Sequence, residues 1–190
     1  MKVLGIVGSA RKNGNTEIMM EEALRAAAEA GAETELFSVR DKSIAGCDGC
    51  HACMQTHVCK IQDEMTPLYD KMKEADAILV GSPVYFHGVT AQAKAVMDRC
   101  FCFLFGHDLK DKVGGSLLVL RRVGSSQSRA QINTWFLSQG MHPLRGAVGY
   151  GAKQGEVREG VGGGIGTTAL GEAADLGRDA VALVGKLSYY

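Results

Sequence analysis

The chain has 190 residues, of which 46% are apolar and 22% charged, and its formal net charge is zero. That length supports one domain with a substantial core, and the balanced charge speaks against a nucleic-acid binder that relies on a basic surface. No apolar run approaches the roughly 20 residues of a membrane span, so no membrane partner is expected.

Residues 2–7, KVLGIV, are a short apolar run ending at Gly8, the pattern of a buried strand. The run is too short for the apolar region of a signal peptide, and a cytoplasmic location is expected. Residues 8–16, GSARKNGNT, form a polar loop. A helix follows, with Ile18, Met19, Ala23, Ala26, Ala27 and Ala30 at helical spacing and Gly31 at its end. Residues 33–39 read as a second strand, poorer in apolar residues and so nearer the sheet edge.

A cysteine-rich loop spans about 43–62, after which Thr66 and Pro67 suit an N-cap and first helical position. Met65, Leu68, Tyr69 and Met72 then keep helical spacing. Residues 77–81, AILVG, have no polar face and suit the centre of a parallel sheet. The loop 82–88, SPVYFHG, leads to a helix with the stripe Ala93, Val96, Met97, Cys100 and Leu104.

A fourth strand is expected over 113–120, followed by the loop 121–128, RRVGSSQS, and a helix carrying Ile132, Trp135 and Phe136. Residues 142–148 suit a fifth strand, 153–166 a mobile Gly-rich loop, and 168–187 a final helix with Ala173, Gly177, Val181 and Val184 on one face. Five strands alternating with five helices predict a single three-layer, doubly wound α/β domain with the cysteine loop as an insertion. Every strand-to-helix loop of such a sheet lies at its carboxyl edge, so the loops 8–16, 43–62, 82–88 and 121–128 are expected there together.

Each of these loops has its own chemistry. The first runs from a strand into a helix N-terminus, where free N–H groups and the helix dipole favour an anion. Ser9, Asn15 and Thr16 add neutral donors and Arg11 a charge. Gly14 is followed by Asn15 and Thr16 instead of Lys-Ser/Thr, so the loop is not a nucleoside-triphosphate loop and fits a monophosphate better. The same residues also suit a turn that merely caps a helix. In the loop 82–88, Pro83 stiffens the backbone, Gly88 allows close approach, and Val84, Tyr85 and Phe86 are apolar where loops are usually polar. Together the two loops fit a flat ring with a phosphate tail; the aromatic residues also suit a cover for the following helix.

Cys47, Cys50, Cys53 and Cys59 form C-x2-C-x2-C-x5-C. Thiolates at that spacing hold zinc or an iron–sulfur cluster. Three consecutive cysteines at x2 spacing resemble the bacterial ferredoxin run, although the last gap is wider and no Pro follows Cys59. His51 and His57 are alternative ligands or bystanders. The remaining cysteines, Cys100 and Cys102, lie in the apolar run CFCFLF, where Cys100 reads as a buried small residue.

In this order, GSARKNGNT, the cysteine cluster and SPVYFHGVTAQAKAVMDR resemble the NAD(P)H-dependent FMN reductases of flavodoxin-like fold, and more narrowly the iron–sulfur flavoproteins of anaerobic bacteria and archaea. The resemblance covers residues 3–100 closely and the remainder loosely. It implies a five-stranded parallel sheet of order 2-1-3-4-5 that binds FMN. Ser9, Arg11, Asn13, Asn15 and Thr16 would hold the ribityl phosphate. Pro83, Val84, Tyr85, Phe86 and Gly88 would lie along the isoalloxazine, with Arg122 at its polar edge. His87 stands where the family usually has a small residue, either near the flavin as a proton donor or facing solvent.

The four cysteines would carry a [4Fe–4S] cluster, with the N–H groups of Asp48, Gly49, His51 and Ala52 as hydrogen-bond donors to it. Electrons would pass between a ferredoxin-like donor, cluster and FMN. Direct reduction of FMN by NAD(P)H, for a small-molecule or protein acceptor such as a quinone, is the second reading. A zinc-stabilised FMN-binding partner protein is the third. The family further implies a homodimer or homotetramer, in which the cluster approaches a neighbour's flavin because its loop leaves the edge strand. Phe101, Phe103, Leu104 and Phe105 would supply an interface or pack within the subunit.

Overall fold

Alternation of apolar side chains between two faces dictates three layers. In the computed structural model, which describes residues 1–188, β1 (Lys2–Val7) sends Leu4 and Ile6 into one core and Val3 and Val7 into another. Helix α1 (Asn15–Glu29) covers the second face, and β2 (Glu33–Ser38) lies at the sheet edge with only Phe37 fully buried. Within the cysteine loop a single turn, α2 (Cys53–Thr56), precedes α3 (Thr66–Glu74), which starts one residue earlier than expected, with Met65 at the N-cap and Pro67 second in the helix. The central β3 (Ala77–Pro83) and β4 (Val113–Leu120) are apolar on both faces, as strands covered on both sides must be.

Between them the predicted helix stops early. Helix α4 (Ala91–Arg99) passes into a 3₁₀ turn at Cys100–Cys102 and a short α5 (Phe103–Gly106). After β4 come α6 (Ser125–Ser138), β5 (His142–Pro143), β6 (Ala147–Tyr150), a 3₁₀ turn at Glu156–Arg158 and α7 (Ala169–Leu187). The sheet is parallel throughout in the order β2-β1-β3-β4-β5, with β6 also paired to β4.

The expected fifth strand is thus present in two pieces. Val113 pairs with His142 while Leu117 pairs with Ala147, so the outer strand carries one more residue than β4 between these pairs. Gly146 sits in this bulge at φ 79°, and a Cβ there would run into Ser116.

That loop, expected to be mobile, is held in several places. Gly149 bridges Gly162 and Val161 bridges Thr168. The buried Glu172 carboxylate accepts the Val148 N–H at 2.9 Å, the Gly164 N–H at 2.6 Å and the Thr167 hydroxyl at 2.7 Å. Burial pushes this carboxyl up, but the three donors outweigh it and leave the pKa below the ordinary value. Helices α1 and α7 touch through small residues, and a Cβ on Gly177 would overlap the Ala23 carbonyl. No described helix is long and apolar enough to cross a membrane.

Candidate functional site

The carboxyl ends of β1 and β3 are tied together directly. The Gly8 N–H donates to the Gly81 carbonyl at 2.7 Å, and the Thr90 hydroxyl, at the N-cap of α4, donates to the Gly8 carbonyl at 2.6 Å. A Cβ on Gly8 would come within 2.6 Å of the Ala93 methyl, so the tight approach of loop to helix requires glycine here. Beyond Gly8 the chain turns into α1. Ile18 N–H already pairs with the Gly14 carbonyl, whereas the N–H groups of Asn15, Thr16 and Glu17 find no acceptor among the described residues. Gly14, Asn15 and Thr16 line the crevice beside them, where free N–H groups and the helix dipole favour an anion.

The crevice has a volume of about 380 Å³, within the range of small-ligand sites. Ser9, Arg11, Asn15, Thr16, Pro83, Val84 and Tyr85 line it, joined by Leu120, Arg121, Gly151, Ala152 and Gln154. One end is therefore cationic and rich in donors, and one wall is apolar. Asn15 lines the crevice while binding across it: its side chain donates to the Lys153 carbonyl at 2.8 Å and accepts the Gly155 N–H at 2.7 Å.

Five expected residues lie outside this cavity. Asn13 takes a left-handed conformation, φ 51°, and gives its N–H to Glu17 at 2.6 Å. Glu17 in turn receives Arg40 at 3.0 Å, so this carboxylate is already paired. Phe86, His87 and Arg122 line a neighbouring cavity of about 280 Å³ with Arg121 and Val123. Gly88 closes a two-residue turn with Tyr85, by hydrogen bonds of 2.9 and 3.0 Å, and sits against Gln131. The turn gives both Phe86 and His87 a positive φ, of 48° and 64°, and leaves Phe86 wholly exposed.

Gly151, Ala152 and Gln154 escape a reading of the sequence. They follow β6, and Gln154 also reaches back to donate its side-chain N–H to the Lys12 carbonyl at 3.2 Å, a pairing that leaves no mark in composition. Arg121, beside the expected Arg122, reaches the crevice together with Arg11. The usable signal is topological: the end of the outermost strand also reaches the carboxyl edge.

The cysteine loop sits elsewhere than expected. It does not stay at the carboxyl edge but packs along the layer of α3 and α4, over the far end of α4. Thr90 at one end of that helix touches the phosphate loop, while Arg99 at the other holds the cysteine loop. They are nine positions apart in sequence, about 13 Å along the axis. Arg99 is fully buried and pairs with Asp63 at 2.7 Å.

Cys47, Cys50, Cys53 and Cys59 line one pocket with Phe101, Cys102 and Arg99. Cys53 is buried, Cys59 half-buried, and Cys47 and Cys50 are exposed. Burial pushes the Cys53 thiol up, and Cys59, Cys50 and Cys47 each add to it, so the four sulfurs lie within electrostatic reach of one another. Among the described residues, no three His, Cys, Asp or Glu side chains converge on one metal ion. The thiols surround a space of about 20 Å³. The donor set suits an iron–sulfur cluster, but the space is only about that of one water, so loading requires the loop to spread. Cys53 and Cys59 are anchored against the core, which leaves Cys47 and Cys50 as the movable pair.

Among the described residues no acceptor takes the N–H groups of Asp48, Gly49, His51 or Ala52. The loop histidines pack on the turn beneath, His51 edge-on to Phe101 and His57 stacked on Phe105. Phe103 is in the core, whereas Phe101, Leu104 and Phe105 are half-buried. Cys100 is fully buried, as its place in the helical stripe implied, and Cys102 is buried as well.

Comparison with known proteins agrees with this architecture. Residues 1–155 match the family described as NADPH-dependent FMN reductase. An iron–sulfur flavoprotein of Methanocaldococcus jannaschii is 46% identical over 143 residues, 74% of either chain. Among solved structures, a flavone reductase superposes with a TM-score of 0.76 at 23% identity, over all of this chain and 65% of its own. An archaeal flavodoxin gives 0.62 at 17%, over 97% and 99% of the two chains. The sheet order and these neighbours establish the flavodoxin-like fold. The chain therefore belongs to the NADPH-dependent FMN reductase family of FMN-dependent oxidoreductases, on the branch whose curated relatives are named iron–sulfur flavoproteins.

Proposed function

We propose that this flavoprotein transfers electrons between a [4Fe–4S] cluster held by Cys47, Cys50, Cys53 and Cys59 and FMN held in the 380 Å³ crevice. The observation that carries the reading is the pairing of a donor-rich, ring-sized crevice with four clustered thiols on a separate face. FMN exchanges electrons singly or in pairs, and an iron–sulfur cluster exchanges them one at a time.

The residues divide the work by chemistry. The free N–H groups at the start of α1, with Ser9, Thr16 and Arg11, bind the phosphate. Pro83, Val84 and Tyr85 present an apolar wall to the ring, and Arg121 replaces Arg122 as the cation at the crevice. Asn15 acts at one remove, fixing the 153–155 loop against the phosphate end. Phe86, His87 and Arg122 border the crevice on the side where a donor or acceptor would approach. At the other site, the unpaired N–H groups of Asp48, Gly49, His51 and Ala52 are available to sulfur.

Because α4 separates the two sites within one subunit, exchange between them is expected across a homodimer or homotetramer contact. The electron donor is then a ferredoxin-like protein. Stopped-flow mixing of Cys50→Ser protein with a one-electron donor tests the route. Flavin reduction should slow by at least tenfold, and unchanged reduction overturns it.

A second reading, direct use of NAD(P)H, is favoured by the family match and by a further cavity of about 960 Å³ beside the crevice. Arg121, Lys153 and Arg158 line that cavity and suit an anionic donor. Rapid bleaching of the flavin by NAD(P)H in Cys50→Ser protein would favour it.

A further inference from the structure

We propose that Arg99 is the positioning residue of the cysteine loop and the fixed cation that raises the electron affinity of the group this loop holds. The second half of this inference rests on the cluster reading above; the first half does not.

A single guanidinium closes both necks of the loop. Nη1 donates to the Ala45 carbonyl at 3.1 Å, two residues before Cys47. Nη2 donates to the Ile61 carbonyl at 2.9 Å, two residues after Cys59. Asp63 receives both, at 2.7 and 3.3 Å, and Nε reaches the Tyr69 hydroxyl at 3.2 Å. All five donors of the fork are therefore used, and the side chain has no solvent exposure. Lysine carries the same charge but cannot reproduce a planar fork with these partners. Asp63 adds to the closure by accepting the Ala45 and Met65 N–H groups at 2.9 and 3.0 Å.

The ion pair is oriented. Arg99 lines the cysteine pocket and Asp63 does not, so the positive end of the pair faces the sulfurs. Four thiolates make any bound iron–sulfur group anionic, and an added electron is opposed by that charge. A buried cation at the pocket wall lowers the opposition, because the low-dielectric surroundings screen it weakly. The step concerned is the gain of one electron from a one-electron donor, which is oxidised by one electron. Arg99 remains protonated throughout.

Three variants of the full chain, Arg99→Lys, Arg99→Met and Asp63→Asn, separate the two roles. FMN content serves as the check that each is folded. In iron-free protein, exchange of the loop's hydrogen-bonded amides, Ala45 and Met54 to His57, should accelerate at least tenfold in Arg99→Lys. Unchanged exchange overturns the positioning role whatever metal the loop binds. In anaerobically loaded protein, redox titration of the iron absorbance should show a lower potential in Arg99→Met and a higher one in Asp63→Asn. Each shift should be at least tenfold in the one-electron equilibrium, about 59 mV.

A merely structural pair would move both variants the same way or neither, and either result overturns the electronic role. If wild-type protein takes up no iron, the cluster reading fails and takes the electronic role with it. The exchange result still decides the positioning role.

Discussion

Phe86 and His87 occupy left-handed backbone that Asn and Gly fill at much lower cost in two-residue turns. An L-residue pays roughly 1–2 kcal/mol in that region. The turn also leaves a whole aromatic ring in solvent. Combining Phe86→Asn with His87→Gly should raise stability by about 1–2 kcal/mol, read as a higher midpoint in thermal unfolding of flavin-free protein. A lower midpoint would show that the turn is not strained. Gly8 makes the opposite kind of demand. Gly8→Ala forces the phosphate loop away from α4 and should weaken FMN binding at least tenfold, about 1.4 kcal/mol, in a fluorescence-quenching titration. Glu172 adds a pH dependence. Its folded-state pKa is held low, so its stabilising contribution is present above the ordinary carboxylate value and fades as pH falls through the folded value. Glu172→Gln should lower stability at neutral pH and flatten the acid limb of a stability–pH curve below about pH 4.5.

At the scale of elements, the contact between α1 and α7 depends on small side chains. Gly177→Ala places a methyl on the Ala23 carbonyl and should destabilise the protein by about 1–3 kcal/mol in urea unfolding, since the two helices must separate. Much of this architecture is legible in the sequence. Alternating cores on Leu4, Ile6, Val3 and Val7, the uninterrupted apolar run at residues 77–81, and Gly177 within the α7 stripe all follow from periodicity. What is not legible depends on partners distant in sequence. A one-residue bulge at Gly146 exists only relative to Ser116 on β4. The 151–154 segment joins the crevice beside Asn15, which reaches across to the Lys153 carbonyl, and through Gln154, which reaches the Lys12 carbonyl. Arg99 looks like an ordinary polar residue at a helix end until the loop that it holds is folded onto it. The cysteine loop is expected at the carboxyl edge because every strand-to-helix loop begins there. A loop of that length, though, has enough chain to run down the helical layer, and Arg99 with Asp63 supplies the reason to stay.

For the whole molecule, the consequence is a separation of functions. The crevice opens where β1, β3 and β4 end, and the thiols lie at the far end of α4, so each subunit keeps its two proposed redox sites apart. The proposed homo-oligomer would join them by setting the loop of one subunit against the crevice of another; Tyr85, Phe86 and Val123 are exposed beside the crevice. Light scattering should therefore give the mass of a dimer or tetramer, and a monomer would contradict this arrangement. The proposed electron route depends most directly on what the cysteine loop holds. Analysis of anaerobically prepared protein should find about four iron, four sulfide and one FMN per chain, with Cys50→Ser losing the iron while keeping the flavin. FMN accompanied by a single zinc, or by no metal at all, would contradict it.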